Sequence, residues 1–344
     1  MSRIILTLLF AALSAFLVSA QTNPASSQQS TSKDQSPNVS VPKPELAEAS
    51  RLNASVVSLF NEGKYDEALT AAKHVLELRE KVLEKDDEQV VLAVINVAEI
   101  QFARGDTLEA RQFFERALKA YERALGPENV KLSGVLDRLA LAYYGSGSPA
   151  ETEKAYKRSL AIREKALGPE HTEVAQSVYH LAEFYQFQGE YKKAEPLYQH
   201  LISIREKQGS QPEALSEAME RYACLLHKTK REAEAEKLER QGRGIVHSPG
   251  ERFIEGGVIN GKALHLAAPS YPREARSARA SGRVIVRVLI DESGKVIRAC
   301  AIEGPNLLMK VSESAAYHSR FSPTKLAGTP VKVTGVIVYN FVAR

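Results

Sequence analysis

The sequence predicts a mainly α-helical protein, in which an α-solenoid of about five helix pairs precedes a small α+β domain with a three-stranded antiparallel sheet and two helices. Two observations support this fold class. One sequence pattern recurs every 42 residues between Gly63 and Lys207, and the apolar residues change to strand-type alternation at Arg283. A fixed period of this size is typical of solenoids, in which each repeat buries its apolar face against its neighbours.

Each period has the pattern of two helices. Between Glu173 and Gln188 the apolar residues lie three and four positions apart, which is the spacing of one helical face. Gly189 follows, and glycine adopts the left-handed conformation that ends a helix without a Cβ penalty. Glycines recur at this position as Gly63, Gly105, Gly147 and Gly189. The predicted helix pairs cover 46–82, 88–124, 130–166, 172–207 and 212–242.

The recurring residues resemble the tetratricopeptide repeat, in the longer form found in kinesin light chain. The resemblance extends from about Glu45 to Gly242. It implies an all-helical superhelix with a concave groove that binds proteins or peptides. The residues that carry it are Leu181-Ala182, Tyr185, Gly189, Tyr191, Ala194 and Leu167-Gly168-Pro169-Glu170-His171.

Three polar residues form a candidate peptide groove. Asn96, Arg138 and His180 are 42 residues apart, and each directly precedes an apolar pair of the first helix of its repeat. The resemblance implies that this position lines the concave face, where asparagine often bonds a peptide backbone; only Asn96 matches that residue type. Arg138 would favour a partner with carboxylates. A solvated helix face is the alternative interpretation.

The N-terminus has the pattern of an export signal. Residues 1–20 contain one early arginine and an apolar run, and they end in Val18-Ser19-Ala20, which fits signal-peptidase cleavage. We therefore expect a periplasmic protein, with an uncleaved inner-membrane anchor as the alternative. Residues 21–45 are rich in Ser, Gln, Asn, Thr and Pro, and they predict a disordered linker.

The C-terminal region predicts a second domain over 269–344, after a glycine-rich linker over 243–268. Val284, Val286, Val288 and Ile290 alternate onto one face of a strand. A turn, a returning strand, a helix and a last strand over 331–341 follow, and a short helix precedes them. The predicted element order is α-β-β-α-β.

This region resembles the C-terminal domain of TonB, the periplasmic end of an energy transducer. The resemblance implies strand addition, in which an extended peptide of an outer-membrane transporter pairs with an open sheet edge. A cleavable leader and a helical solenoid differ from the anchor and Pro-rich rod of TonB itself. The resemblance rests on Tyr271-Pro272, Gly282, Ile290-Asp291, Gly294, Phe321-Ser322-Pro323, Gly328, Pro330-Val331 and Phe341. The residues expected at the docking edge are Val331, Val333, Val336, Ile337, Val338 and Tyr339.

No catalytic constellation is evident in the sequence. The 8 His residues are scattered, and no metal-binding, nucleotide-binding or nucleophile motif is present, so we expect neither a cofactor nor a metal. Cys224 and Cys300 fall in different predicted domains. An oxidising compartment would permit a bridge between them, but buried free thiols are the favoured prediction.

The sequence therefore predicts a non-enzymatic adaptor that binds one partner in the repeat groove and another at the sheet edge. The expected partners are proteins or peptides, with an outer-membrane transporter and an anionic envelope polymer such as peptidoglycan as candidates, and no nucleic acid. Residues 251–344 hold 14 Lys+Arg against 7 Asp+Glu, which favours an acidic partner. The alternatives are a subunit of a TonB-type energy transducer and an envelope enzyme with an unrecognised site.

Overall fold

The computed structural model describes residues 43–209, 211–246 and 253–343. The predicted signal peptide over 1–20 lies outside these ranges, as does nearly all of the predicted disordered linker over 21–45. The first helix begins at Pro44, two residues before the predicted start of the repeats. Within the described ranges no helix combines the length and the apolar content that a bilayer crossing requires.

The helical part of the described chain consists of five helix pairs, as predicted, and each pair ends within four residues of its predicted bound. Helix ends follow local signals: Asp87 caps the third helix by accepting from the N–H of Gln89, and Gly105 ends the same helix with φ 98°. The helices are α1 (Pro44–Asn61), α2 (Tyr65–Val82), α3 (Glu88–Arg104), α4 (Thr107–Leu125), α5 (Lys131–Gly145), α6 (Pro149–Leu167), α7 (Thr172–Phe187), α8 (Tyr191–Gln208), α9 (Pro212–Lys228) and α10 (Glu232–Val246).

The described chain divides into two compact units, one up to Ile162 and one from Arg163 onward. In the first unit small residues lie where helices pack closely, and Ala68 and Ala110 are fully buried. The second unit contains α7 to α10 together with the C-terminal domain, and Ala194 is fully buried in it. Alanines at these positions allow neighbouring helices to pack closely.

The C-terminal domain is built on a four-stranded sheet in the order β1-β8-β3-β4. The three predicted strands are present and pair antiparallel as β8-β3-β4, and the two predicted helices are α11 and α12. The fourth strand, β1, runs parallel to β8. The elements are β1 (Phe253–Val258), β2 (Ala263–His265), α11 (Arg273–Ser277), β3 (Gly282–Ile290), β4 (Val296–Glu303), α12 (Asn306–His318), β5 (Arg320–Phe321), β6 (Lys325–Leu326), β7 (Thr329–Pro330) and β8 (Lys332–Phe341).

The alternation predicted for β3 corresponds to burial in the core of this domain. Val284 and Val286 are fully buried, and they belong to the apolar cluster that includes Leu308 of α12 and Ile337 of β8. Burying one face of the sheet under α12 removes these side chains from water, which is the main stabilising contribution in a domain of this size.

The predicted linker over 243–268 differs from the structure. Helix α10 continues to Val246, and β1, a short 3₁₀ turn at Asn260–Lys262 and β2 all lie within the segment. Gly256 and Gly257 suggested an irregular chain, but they form a break within β1, where the pairing register with β8 shifts. Strand pairing across some eighty positions leaves no local sequence signal.

The two cysteines form a disulfide, so the prediction of buried free thiols was wrong. Cys224 of α9 and Cys300 of β4 are bonded with a Cα–Cα distance of 5.9 Å. Their separation of 76 positions places one in the last repeat and the other in the C-terminal sheet. The bond therefore links two predicted domains covalently within one compact unit.

Candidate functional site

Strand β8 was expected to offer an open edge, and the structure places β1 along that side. The Cα partners run from Phe253 opposite Lys332 to Val258 opposite Val336. Beyond β1, the side chain of Asn260 bonds the backbone of Val338. The sheet edge presented to solvent on this side therefore belongs to β1, and binding of a peptide at β8 remains a prediction.

Alternate residues of β8 direct their backbone groups to opposite neighbours. The carbonyl of Val336 accepts from the N–H of Ile259, and the N–H of Val338 donates to Asn260, so these two residues face the β1 side. By alternation, the N–H of Ile337 faces β3. Val331 lies before the strand and donates its N–H to the carbonyl of Thr324. The side chains of Val333, Ile337 and Tyr339 are buried in the domain core.

In the first unit, Asn96 is half-buried and Arg138 is buried. The amide nitrogen of Asn96 donates to the side-chain oxygen of Asn53 on α1 at 3.2 Å. Asn53 lies 43 positions earlier in the chain, one off the repeat period, so register reasoning missed it. The two side chains form an amide pair on the first helices of successive repeats, a polar group suited to a peptide backbone.

Arg138 was expected to favour a partner with carboxylates, but in the structure it pairs with a carboxylate of the same chain, that of Glu99. The Nε atom of Arg138 lies 2.5 Å from a carboxylate oxygen of Glu99, and both side chains are 8% exposed. Burial raises the pKa of the Glu99 carboxyl, and the charge of Arg138 opposes this rise. The pair therefore acts between neighbouring repeats.

His180 lies in the second unit on α7, one helical turn before Glu183 and next to Tyr179. The ring centroids of Tyr179 and His180 are 5.9 Å apart. His180 is half-buried, and the same helix contributes Glu183, Gln186 and Phe187 to a cleft with a volume of about 320 Å³. The cleft lies wholly within the second unit.

The cleft is lined by α7, α9 and α10 of the repeats and by β3, β4, α12 and β8 of the C-terminal domain. Arg298 of β4 forms an ion pair with Glu220 of α9, and Lys228 of α9 lies 3.5 Å from Glu313 of α12. The Glu313 carboxylate also accepts the N–H of Ala301 at 2.7 Å. In these contacts, charged side chains of the repeats pair with charged side chains of the C-terminal domain. We call this row of ion pairs beside the disulfide the polar seam.

A buried histidine anchors one end of this seam. His227 is 2% exposed, and its two ring nitrogens lie 2.5 Å from Glu232 and 2.9 Å from Glu239. Glu239 also bonds Arg287 of β3 at 3.1 Å. Burial disfavours the imidazolium, but the hydrogen bonds that it donates to Glu239 and Glu232 outweigh this effect and raise the pKa of His227. Arg243 lies 3.6 Å from the same Glu239 carboxylate.

Because the His227 pKa is raised in the folded state, its stabilising contribution is fully present at low pH and is lost as pH rises through the folded pKa. We expect the melting temperature of the wild type to fall as pH rises above about 6.5, the ordinary pKa of histidine, because the folded-state pKa of His227 lies higher. The His227→Gln variant should lose this slope, whereas His265→Gln, at an exposed position, should retain it. Parallel slopes for all three proteins in a thermal-shift series would contradict the assignment.

The cleft offers no separate metal site. In the described part of the chain, the one cluster of three potential ligands consists of Cys224, Cys300 and Glu313, with ligand atoms within 4.8 Å of one another. Both sulfurs are used in the disulfide. A thiolate is the form of cysteine that binds metals, so this cluster has lost its two sulfur ligands.

Comparison with known proteins identifies both parts of the chain. The tetratricopeptide repeat model matches residues 48–123, 131–207 and 176–245. The model of the Gram-negative bacterial TonB protein C-terminal matches residues 267–342. No curated protein matches the sequence. The matched families are of non-catalytic adaptor and transducer types that bind proteins or peptides.

Solved structures with similar folds are kinesin-light-chain-like repeat proteins. A putative kinesin light chain from Podosopora anserina, with nearly identical TPR-like repeats, has 21% identity and a TM-score of 0.53; the match covers 60% of this chain and 97% of that one. BtubC (BKLC) from P. vanneervenii has 18% identity and a TM-score of 0.53, with 60% and 91% coverage. At these identities the likeness concerns the fold alone. Ten repeat helices form five pairs among the described residues, and the repeat model matches more than half of the chain. The chain therefore belongs to the tetratricopeptide repeat family, and it carries a TonB C-terminal domain.

Proposed function

We propose that this protein is a non-enzymatic periplasmic adaptor that holds two partners. One partner binds the first helices of the repeats, and the other, an outer-membrane transporter or another envelope protein, binds the C-terminal domain by strand addition at β8. The observation that carries the proposal is the presence in one chain of two protein-binding modules of different kinds. Both matched families are of non-catalytic types, and an adaptor needs no catalytic group.

Two further features support the compartment and the partner chemistry. The Cys224–Cys300 disulfide is stable in an oxidising compartment such as the periplasm. The excess of Lys and Arg over residues 251–344 favours acidic partners, including an anionic polymer such as peptidoglycan. Mature protein should begin at Gln21, which N-terminal sequencing of the exported protein would test.

The proposed repeat groove is the row predicted by register, with the amide pair of Asn53 and Asn96 as its best-supported part. Amide side chains donate and accept, so this pair can bond the backbone of an extended peptide. Arg138 keeps a supporting role, because its pairing with Glu99 holds neighbouring repeats together. His180 is proposed as a half-buried contact on α7.

Site-specific photo-crosslinking in cells tests both modules at once. A photoreactive amino acid is placed at Asn96 for the repeats, at Val342 just after β8 for the sheet, and at the exposed Lys119 of α4 as a control. We expect different crosslinked partners from positions 96 and 342, and none that is specific to position 119. The same partner at all three positions, or none at 96 and 342, would contradict the adaptor.

Two proline variants then test strand addition at β8. Val336→Pro removes an N–H on the β1 side, so it should abolish the product at position 342 and leave the product at position 96. Ile337→Pro removes an N–H that faces β3, so it should unfold the C-terminal domain, as judged by limited proteolysis. A Val336→Pro protein that still forms the product at 342 would exclude this strand as the docking edge.

A further inference from the structure

The segment that covers β8 lies outside the part of the chain that matches the TonB C-terminal domain. The TonB C-terminal match begins at residue 267, whereas β1 and the turn that follows it occupy residues 253–262. The repeats end with α10 at Val246, so the covering segment belongs to neither module. This segment therefore occupies the edge of β8 at which we propose that a partner peptide binds.

The covering segment bonds β8 as an added peptide would. The N–H of Ile259 donates to the carbonyl of Val336 at 3.0 Å. The Asn260 side chain donates to the carbonyl of Val338 at 2.7 Å and accepts from the N–H of Val338 at 2.8 Å. An asparagine amide carries the same donor and acceptor as a backbone peptide group, so Asn260 substitutes for one more residue of strand.

A niche in β8 receives one aliphatic side chain of this segment. Ile259 is 2% exposed and belongs to the core cluster of the domain. Gly335 makes the room, because a Cβ at that position would lie 2.9 Å from the Cγ2 atom of Ile259. An extended peptide with an aliphatic residue at this point would therefore be held by burial as well as by backbone bonds.

The internal strand is an imperfect occupant. Its register with β8 shifts between Glu255 and Val258, across Gly256 and Gly257, and the Val258 side chain is 64% exposed. A break of this kind interrupts the ladder, so a peptide without it would make more continuous pairs with the same strand. Tethering gives the internal segment a high effective concentration that compensates for its imperfect pairing.

We propose that residues 254–260 are an internal stand-in for the partner peptide, and that they reveal its chemistry. The partner is an extended segment that runs parallel to β8 and presents an aliphatic residue followed by asparagine, with an unbroken strand where this chain has Gly-Gly. It binds by displacing β1. This inference rests on the strand addition proposed above, and it names the partner and the regulation of that site.

The test uses the full-length oxidised protein and a fluorescent synthetic peptide with the sequence of residues 254–260. Asn260→Ala removes both bonds to Val338 from the internal segment, so the labelled peptide should bind this variant roughly tenfold more tightly than the wild type. Hydrogen exchange at the Val338 amide should accelerate in the variant by a similar factor. Asn306→Ala, at the start of α12, is the matched control and should behave as the wild type.

Adding Gly335→Ala to Asn260→Ala fills the niche and should abolish binding of the peptide. Exchange of the amides between β3 and β4 reports whether each variant remains folded. Equal peptide affinity and equal Val338 exchange in the wild type and Asn260→Ala would overturn the internal stand-in. Faster exchange at Val338 without peptide binding would instead refute strand addition, and with it the partner inferred here.

Discussion

Reduction of the Cys224–Cys300 disulfide is expected to lower the free energy of unfolding of the second unit by about 4 kcal/mol, because the bond closes a long loop in the unfolded chain. The loop spans a sequence separation of 76 residues. For a unit of this size the loss corresponds to a fall in melting temperature of roughly 10 °C. Thermal unfolding with and without a thiol reductant measures the effect.

The control for this experiment is the Cys224→Ala/Cys300→Ala double variant, which should melt like the reduced wild type and should not respond to the reductant. Each single variant should match the double variant, since either change breaks the bond. A wild type whose melting temperature ignores the reductant would show that the bond is absent in solution or does not constrain the unfolded chain.

Arg138→Met is expected to destabilise the first unit by about 3–5 kcal/mol, because it leaves the buried Glu99 carboxylate without its cation. The two side chains are 2.5 Å apart and both are buried, so each charge is stabilised mainly by the other. The Glu99→Gln/Arg138→Met double variant removes the charge as well and should recover a large part of the loss. Urea unfolding of the wild type, both single variants and the double variant measures the coupling.

The pH dependence of the single variant provides an independent check. Without Arg138 the pKa of the Glu99 carboxyl should rise further, so the folded state would bind a proton more tightly than the unfolded chain. Stability then increases as pH falls, and the deficit of Arg138→Met should shrink in acid. Arg123→Met, which breaks the exposed pair with Asp86, should leave the unfolding transition close to that of the wild type. If the loss of stability in Arg138→Met were independent of pH, it would not arise from an unpaired Glu99 carboxylate.

The groove row illustrates how far a repeat pattern can predict a site. The interval of 42 residues placed Asn96, Arg138 and His180 at one helical position, and the helices lie where the pattern predicted them. Whether a polar side chain at that position meets solvent depends on its neighbour in the preceding repeat. Glu99 lies beside Arg138 and pairs with it, and Asn53 lies beside Asn96. The 42-residue repeat interval predicts neither of these contacts.

Both modules could be predicted from the sequence, because their signals are local. Helical spacing, glycine caps and strand alternation each act over a few residues, and they predicted the five helix pairs and the three antiparallel strands of the C-terminal domain. Which surfaces of the two modules are accessible depends on contacts between distant parts of the chain. The disulfide, the polar seam and the pairing of β1 with β8 join residues that lie far apart in the chain. Such contacts form because folding brings distant groups together, and a glycine pair such as Gly256-Gly257 becomes part of a strand only when β8 lies beside it.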